Sequence, residues 1–346
     1  MMNLPIFLRR SGLLTFCFSL VASVGHAETN LAETYETCLL EQTTQADETK
    51  SAGNIRAFCK SNTQESNIPD RVIQESITQK SEFVITPHRQ NYILPYTFNA
   101  SPNQAPWIAS NTYPDIDDPI QNSEAKFQLS LKIPMTQSDT FFHRDQFYFG
   151  FTLKSFWQVY NSDISAPFRE TNYRPEFYYQ SPIQADWLAN MGANMFLRGG
   201  IEHESNGRSQ LLSRSWNRVF LGAGFIKDNW AFYLQPWYRL EEDLKEDDND
   251  PTTPLPAKGD DNPDIQDYLG HYELDVVYKY GALQWTSLGR LNFETGKGAF
   301  EIGVSFPIHA RIKGYVQYFD GYGDSLIDYN DRVQRLGIGV LLTDLL

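Results

Sequence analysis

Three polar side chains near the middle of the chain have the types and spacing of an ester-cleaving group. His203 and Ser205 are separated by one residue, and Asn217 follows in the next apolar segment. A serine hydroxyl beside an imidazole is a nucleophile with its general base, and an amide oxygen can hold that imidazole in the reactive tautomer. Ser205 would attack an acyl carbonyl, while His203 would take the serine proton and return it to the leaving alcohol. The alternative is that both residues are simply tolerated at a polar membrane surface.

The segment that carries His203 and Ser205 alternates between apolar and polar residues. Its odd positions are apolar from Trp187 to Ile201 and continue to His203 and Ser205, whereas its even positions are polar, as at Glu202. A period of two indicates a β strand with two different faces. We expect the odd face to meet lipid and the acidic even positions to line a polar interior without a catalytic role.

The next segment places Asn217 on the corresponding face. Its odd positions are apolar from Val219 to Phe225, with Asn217 at their head. In a hairpin centred near Gln210, His203 lies opposite Asn217 with Cβ atoms roughly 5 Å apart. A neutral amide suits this face, because an ionised carboxylate that faces lipid is costly.

The same alternation recurs along most of the chain and indicates an all-β fold. About twelve segments, each near the ~10 residues that a tilted transmembrane strand needs, begin near residues 90, 124, 145, 173, 187, 214, 229, 268, 282, 297, 310 and 331. An even strand number, aromatic residues at strand ends and a final strand near the C-terminus favour an antiparallel transmembrane β-barrel over a soluble β-sandwich. We assign the barrel domain to residues 85–346.

The connections between these segments alternate in length, which predicts the orientation of the barrel. Short turns are expected at 183–186, 227–229 and 309–310, and longer loops at 161–172, 206–214, 241–267 and 320–331. Bacterial barrels have short periplasmic turns and long external loops. The end of the strand that carries Ser205 is therefore expected at the cell exterior.

The chain begins with the features of a secretory signal peptide. Arg9 and Arg10 precede an apolar stretch that is too short for a comfortable membrane anchor, so we assign residues 1–27 to a signal peptide. Residues 28–84 are polar with short apolar groups at helical spacing, which predicts a small periplasmic helical appendage; a flexible linker is the alternative. Cys38 and Cys59 could form a disulfide in the oxidising periplasm or remain two unpaired thiols.

Composition and motif content argue against two other classes of protein. The chain has 29 basic and 43 acidic residues and a net charge of −14, which argues against a nucleic-acid partner because phosphate binding needs a basic face. No G-x-S-x-G motif occurs, so a soluble α/β-hydrolase is not supported.

Several longer motifs resemble the outer-membrane phospholipase A family. They are His203–Ser209 (HESNGRS), Ser213–Arg218 (SRSWNR), Ser165–Tyr173 (SAPFRETNY), Asp260–Asp264 (DDNPD) and Gly321–Asn330 (GYGDSLIDYN). The resemblance runs from about residue 85 to the end of the chain. It implies a twelve-stranded outer-membrane barrel that hydrolyses acyl esters of phospholipids and lysophospholipids, depends on Ca²⁺ and is activated as a homodimer.

The resemblance also implies a role for individual residues. It makes His203 the proton acceptor, Ser205 the nucleophile and Asn217 the group that orients His203. The implied Ca²⁺ ligands are the Arg208 carbonyl, the Ser213 hydroxyl and the carbonyl of Ser165 from the partner subunit, with Asp261 as a further candidate. Such oxygen ligands suit a hard cation.

Two positions depart from the family pattern, and a second functional class remains open. Leu153 stands where the family often has a polar residue on the dimer face, and Gln210 stands where it can have an aspartate near the calcium loop. The alternative function is a catalytically inactive barrel that acts as a porin or a scaffold. An outer-membrane protease would need acidic residues beside His203 on the same face, and none is predicted there.

Overall fold

The structure is a computed structural model that describes residues 38, 42, 55, 59, 85–137, 139–245, 256, 258–309 and 312–343. The chain divides into two compact units, Met1–Gln64 and Glu65–Leu346. The predicted signal peptide, residues 1–27, lies outside the described residues, as do residues 344–346. In the described part of the chain, no helix is long and apolar enough to cross a membrane.

The first unit is described at four residues, all in helical conformation. These are Cys38, Gln42, Ile55 and Cys59. Cys38 and Cys59 are joined by a disulfide, which is the pairing expected for an oxidising compartment. The remainder of the appendage predicted for residues 28–84 lies outside the described residues.

The second unit consists mainly of antiparallel strands. Its described strands are β1 (Thr86–Pro87), β2 (Tyr92–Asn99), β3 (Ser123–Pro134), β4 (Gln146–Trp157), β5 (Phe168–Ile183), β6 (Ala193–Ser205), β7 (Ser215–Lys227), β8 (Trp230–Leu240), β9 (Tyr272–Tyr280), β10 (Leu283–Leu291), β11 (Gly298–His309), β12 (Ile312–Tyr322) and β13 (Arg332–Leu341). Three short helices connect them: α1 (Ala105–Ala109), α2 (Asp186–Asn190) and α3 (Ile265–Leu269).

The strands close into a barrel. Each strand from β2 to β13 pairs with its neighbour in sequence, and β13 pairs back onto β2. Strand β1 continues the edge of β2 by pairing with β3. The closed, twelve-stranded antiparallel barrel predicted from the alternation is therefore confirmed within the described residues.

Alternation along each strand separates an apolar exterior from a polar interior. On β6 and β7, Ile201 and Leu221 are 57% and 67% exposed, whereas Glu202 and Arg218 are buried. The exposed apolar side chains face outward, where a membrane replaces water as their surroundings. The prediction that odd residues of this hairpin face outward and even residues face the interior is therefore confirmed from Ala193 onward.

The start of the strand predicted at Trp187 is wrong. Residues 186–190 form helix α2, and β6 begins only at Ala193. Leu188 is buried while Trp187 is exposed, so the apolar odd positions here do not form a strand face. Gly192 adopts a left-handed conformation with a φ of 63° and ends the helical turn.

A second boundary also differs from the prediction. Strand β5 begins at Phe168 rather than near Tyr173, so the strand continues further toward the cell exterior. The extension adds Arg169 and Glu170, which are both buried although they are consecutive, because the register between β4 and β5 shifts at this point. Two consecutive charged residues interrupt the alternation of apolar and polar positions, so the sequence does not reveal this first part of the strand.

The loop between β12 and β13 folds into the external mouth of the barrel. Its side chains from Asp324 to Asp328 are almost completely buried. The Leu326 amide donates to Asn172 Oδ1 at 3.1 Å, and the Ile327 amide donates to Glu170 Oε1 at 3.2 Å. Inward-facing residues of β5 therefore bind the loop backbone and fill this end of the lumen.

Buried ion pairs attach the same loop to the barrel wall. Lys126 Nζ lies 2.8 Å from Asp324 Oδ1, and Arg335 Nε lies 2.6 Å from Asp324 Oδ2. Burial acts to raise the pKa of the Asp324 carboxyl, but Lys126 and Arg335 outweigh burial and hold that pKa well below its usual range. The stabilisation is therefore present at neutral pH and is lost only as the pH falls through the lowered pKa.

Replacement of Asp324 should destabilise the barrel strongly. Asp324→Ala leaves Lys126 and Arg335 with a missing buried partner, so we expect the free energy of unfolding to fall by about 3–5 kcal/mol. Urea titration of the protein in lipid, followed by the gel mobility of the folded barrel, measures the change. Asp320→Ala is the matched control, because Asp320 pairs with Arg332 at the exposed surface. Equal midpoints for the two variants would contradict the assignment.

Candidate active site on the outer face of the barrel

The hairpin of β6 and β7 brings two of the predicted catalytic residues into contact. His203 is paired with Asn217 in the strand register, as the sequence predicts. His203 Nδ1 lies 2.9 Å from Asn217 Oδ1. Since an amide oxygen can only accept a hydrogen bond, this contact requires the proton on Nδ1 and leaves Nε2 free to act as a base.

Ser205 ends β6 on the same outward face as His203. It is paired with Ser215 on β7 and with Tyr173 on β5. His203, Ser205 and Asn217 are all half-buried, beyond the exposed apolar positions Ile201 and Val219. The structure therefore places the three residues together on the membrane-facing side, at the external end of the hairpin.

The acidic residues between them face the other way. Glu202 and Arg174 form an ion pair at 2.5 Å, and Glu204 lies 2.9 Å from Arg218 Nη2. Trp216 Nε1 also donates to Glu204 at 3.1 Å. These contacts agree with the prediction that the even positions of β6 line the lumen, where arginine side chains neutralise them.

Asn206 organises the loop that follows Ser205. Its side-chain oxygen accepts from the amides of Arg208 at 3.2 Å and Arg214 at 3.0 Å. Its side-chain nitrogen donates to the Leu212 carbonyl at 2.8 Å. Gly207 supplies a φ of 63° for the turn. One buried amide thus sets the path of the backbone through Arg208 and up to Ser213.

Ser213 and Asp261 lie together beside this loop. Ser213 Oγ donates to Asp261 Oδ2 at 2.7 Å, and Ser215 Oγ lies 3.3 Å from the same oxygen. Lys245 forms an ion pair with Asp261 Oδ1. A hydroxyl that donates to a carboxylate keeps its lone pairs for a cation, so Ser213 and Asp261 present hard oxygen donors of the kind that Ca²⁺ prefers.

Ser165 lies in a different external loop, between β4 and β5. It is exposed and has a φ of 62° after the short 3₁₀ turn Ser162–Ile164. No group of three or more His, Cys, Asp or Glu side chains suited to a metal ion occurs among the residues that the structure describes. A cation site here would therefore depend on carbonyl and hydroxyl oxygens as well as a carboxylate.

Glu242 contacts the site although the sequence did not single it out. Its Oε1 accepts a hydrogen bond of 2.7 Å from Asn217 Nδ2. The alternation along β8 could have indicated this contact, because Tyr238 and Leu240 face outward and Glu242 is the next residue in the same alternate series. Glu242 falls within the predicted loop 241–267, for which the alternation predicts no face.

The sequence around this site matches a known protein family. The family model described as phospholipase A1 matches residues 68–342. The chain belongs to the phospholipase A1 family. The matched region includes the whole barrel as far as Leu342 and all the predicted site residues.

Individual members of the phospholipase A1 family agree with this assignment. The phospholipase A1 of Klebsiella pneumoniae is 37% identical over 268 residues, which cover 76% of this chain and 84% of that protein. The phospholipase A1 of Escherichia coli K12 is 36% identical over 263 residues, with 76% and 83% covered.

Two solved structures have the same barrel. The outer membrane phospholipase A from Escherichia coli superposes with a TM-score of 0.65 at 35% identity and covers 77% of this chain and 95% of that one. The Salmonella typhi outer membrane phospholipase, a dimer with bound calcium, gives 0.66 at 33% identity, with 78% and 97% covered. This phospholipase A1 family member is therefore an outer-membrane barrel.

The two departures from the family pattern lie at separate places. Leu153 is on the outward face of β4, where it pairs with Leu129 on one side and Tyr173 on the other. Gln210 begins a short 3₁₀ turn with a φ of 58°. An apolar residue suits the first position, and Asp261 provides a carboxylate near the second.

Loss of the Asn206 side chain should loosen the loop that carries Arg208 and Ser213. Asn206→Ala removes three loop hydrogen bonds of a buried amide, so we expect trypsin to cleave after Arg208 and Arg214 at least about tenfold faster. The rate of cleavage in folded protein is the measurement. Asn190→Ala, an exposed change at the periplasmic end, is the control. Unchanged cleavage in Asn206→Ala would show that other contacts hold the loop.

Proposed function

We propose that this protein hydrolyses acyl ester bonds of phospholipids and lysophospholipids, with Ser205 as nucleophile, His203 as general base and Asn217 as the group that orients His203. The observation that carries the proposal is the His203–Asn217 hydrogen bond on the outward face of the barrel, beside Ser205. A membrane-facing nucleophile can reach an ester only within the lipid itself, which favours a lipid substrate over a soluble one.

The hydrogen-bond pattern fits the two steps of acyl transfer. With its Nδ1 proton held by Asn217, His203 can accept the Ser205 proton at Nε2 as the hydroxyl oxygen attacks the acyl carbonyl. The protonated His203 then protonates the leaving lysolipid alcohol, and the acyl group remains on Ser205. Water, deprotonated by His203 in its turn, releases the fatty acid and restores the serine.

An apolar path leads to Ser205 along the outer surface. Leu129, Leu153, Tyr173 and Ser205 are successive register partners on β3, β4, β5 and β6. Leu129 and Tyr173 are 46% and 38% exposed, so the path is open to the membrane. An acyl chain that follows this row would bring its ester to the hydroxyl while its headgroup stays near the external loops.

We propose Ca²⁺ as the cofactor of this site. Ser213, Asp261 and the carbonyl of Arg208 would hold it, together with the carbonyl of Ser165 from the partner subunit. The support is the oxygen donor set around Ser213 and the calcium bound to the related Salmonella typhi dimer. A bound Ca²⁺ would supply positive charge to stabilise the oxyanion of the tetrahedral intermediate.

The proposed active form is a homodimer formed in the outer membrane. The related Salmonella typhi protein is a dimer, and the apolar row with Leu129 and Leu153 is a suitable contact surface beside the site. A partner that covers this row would enclose the acyl chain and bring its own Ser165 loop to the cation site. In the proposal, the enzyme stays silent until phospholipids reach the outer leaflet and two copies meet.

Loss of the nucleophile should abolish turnover without unfolding the barrel. We expect Ser205→Ala to reduce the release of fatty acid from phospholipid micelles containing Ca²⁺ by at least about 10³-fold. Ser209→Ala, an exposed serine in the next loop, should retain activity. Gel mobility of the folded barrel confirms that both variants fold. Comparable hydrolysis by Ser205→Ala would exclude Ser205 as the nucleophile.

Changes at Asp261 and Lys245 should alter Ca²⁺ affinity in opposite directions. Asp261→Asn removes an anionic ligand, whereas Lys245→Met removes a positive charge that competes for the same carboxylate, so we expect affinity to fall and rise by about tenfold, respectively. Calorimetric titration with Ca²⁺ measures binding without turnover. Lys258→Met, an exposed lysine of the same loop, is the control. Equal affinities in all three variants would place the cation elsewhere.

A further inference from the structure

Glu242 extends the outward face of β8 toward the cell exterior. Asn217 pairs with Leu240 in the register, and Glu242 follows two positions later on the same face. Its carboxylate reaches back across the hairpin to Asn217 Nδ2 at 2.7 Å. Three side chains thus form a chain of hydrogen bonds from Glu242 through Asn217 to His203.

The order of donors and acceptors in this chain is fixed by chemistry. A carboxylate has no proton to donate, so it accepts only from the amide nitrogen of Asn217. The amide oxygen is then turned toward His203, where it accepts the Nδ1 proton. Without Glu242, the amide could rotate by half a turn and present its nitrogen to the imidazole. That orientation would favour the tautomer whose Nε2 carries the proton and cannot accept one from Ser205.

The charge of Glu242 adds to this geometric effect. Asn217 is neutral, so it compensates the positive charge that develops on His203 less well than a carboxylate would. A carboxylate that hydrogen-bonds to the far side of the amide polarises it and strengthens its oxygen as an acceptor. Glu242 is exposed at the external end of the hairpin, where an ionised side chain costs less than it would at the depth of Leu240.

We propose that Glu242 is a positioning residue of the catalytic group: it holds the Asn217 amide in the orientation that His203 needs and supplies the negative charge that Asn217 lacks. This inference rests on the proposed Ser205–His203–Asn217 mechanism. It makes Glu242, two residues beyond the end of β8, part of the catalytic group in this chain.

The first experiment changes the charge of Glu242 with its shape preserved. We expect Glu242→Gln to lower kcat for micellar phospholipid by about tenfold, with KM nearly unchanged, because the side chain contacts Asn217 rather than lipid. Glu241→Gln removes the same charge from the neighbouring position and should behave as wild type. A kcat for Glu242→Gln within twofold of that for Glu241→Gln would overturn the proposal.

The second experiment places an acid in the position of the amide. In Asn217→Asp, the new carboxylate lies beside Glu242 and the two like charges repel. Adding Glu242→Gln to Asn217→Asp should therefore raise kcat, whereas the same change lowers kcat in the wild-type background. A merely structural role predicts a loss in both backgrounds, and that result would also overturn the proposal.

A parallel assay of Ser205→Ala separates the two levels of the inference. If Ser205→Ala retains hydrolysis, the proposed catalytic group itself is wrong, whatever Glu242 does. If Ser205→Ala is inactive and Glu242→Gln matches Glu241→Gln, only the role of Glu242 is wrong. All variants are full-length protein in detergent with Ca²⁺, checked for the folded barrel by gel mobility.

Discussion

The register of the β6–β7 hairpin is the constraint on which the site depends. Successive side chains of a strand point to opposite faces, so a slip of one residue would turn His203 into the lumen and expose Glu202 to lipid. Glu202 and Arg218 form a buried ion pair on the inner face, and Trp216 packs over the Arg218 guanidinium at 3.6 Å. Burial of these charges makes any other register very costly. The ion pairs inside the barrel therefore fix the position of the residues that we propose to act on its outer face.

The site combines a pair of hydrogen-bonded strands with loops that are each held by their own side-chain contacts. The strands place His203 and Asn217 in contact, while Asn206 shapes the loop behind them and Asp261 joins a second loop through Ser213 and Ser215. Side-chain hydrogen bonds hold each loop, and buried apolar residues add to them: Leu212 of the first loop packs with Trp107 and Ile327, and Ile265 of the second lies in another apolar cluster. Such an arrangement keeps the proposed catalytic groups on stiff elements and leaves the proposed cation-binding groups on segments whose composition can change without loss of the barrel.

Alternation in the sequence predicts the barrel and the shared face of His203, Ser205 and Asn217, because a period of two directly reports which side of a sheet a residue occupies. It predicts a strand where the structure has helix α2, because the apolar residues Trp187 and Met191 fall on the odd positions of the pattern. It gives no information on contacts between distant loops. The burial of Asp324 between Lys126 and Arg335 depends on the three-dimensional path of a loop that carries no periodic signal. The approach of Glu242 to Asn217 follows the alternation of β8, but beyond the end that the sequence predicts for that strand.

The β12–β13 loop that fills the external mouth also determines where reaction products can go. Ile327 is fully buried and Arg169 is bonded to Asp328 at 2.8 Å, so the described side chains of this loop obstruct the external mouth of the lumen. Products of the proposed hydrolysis would leave sideways into the outer leaflet. Wedge-shaped, detergent-like molecules would accumulate around each barrel that is turning over. Permeability of the envelope would then change through the packing of its lipids, without any opening of the protein itself.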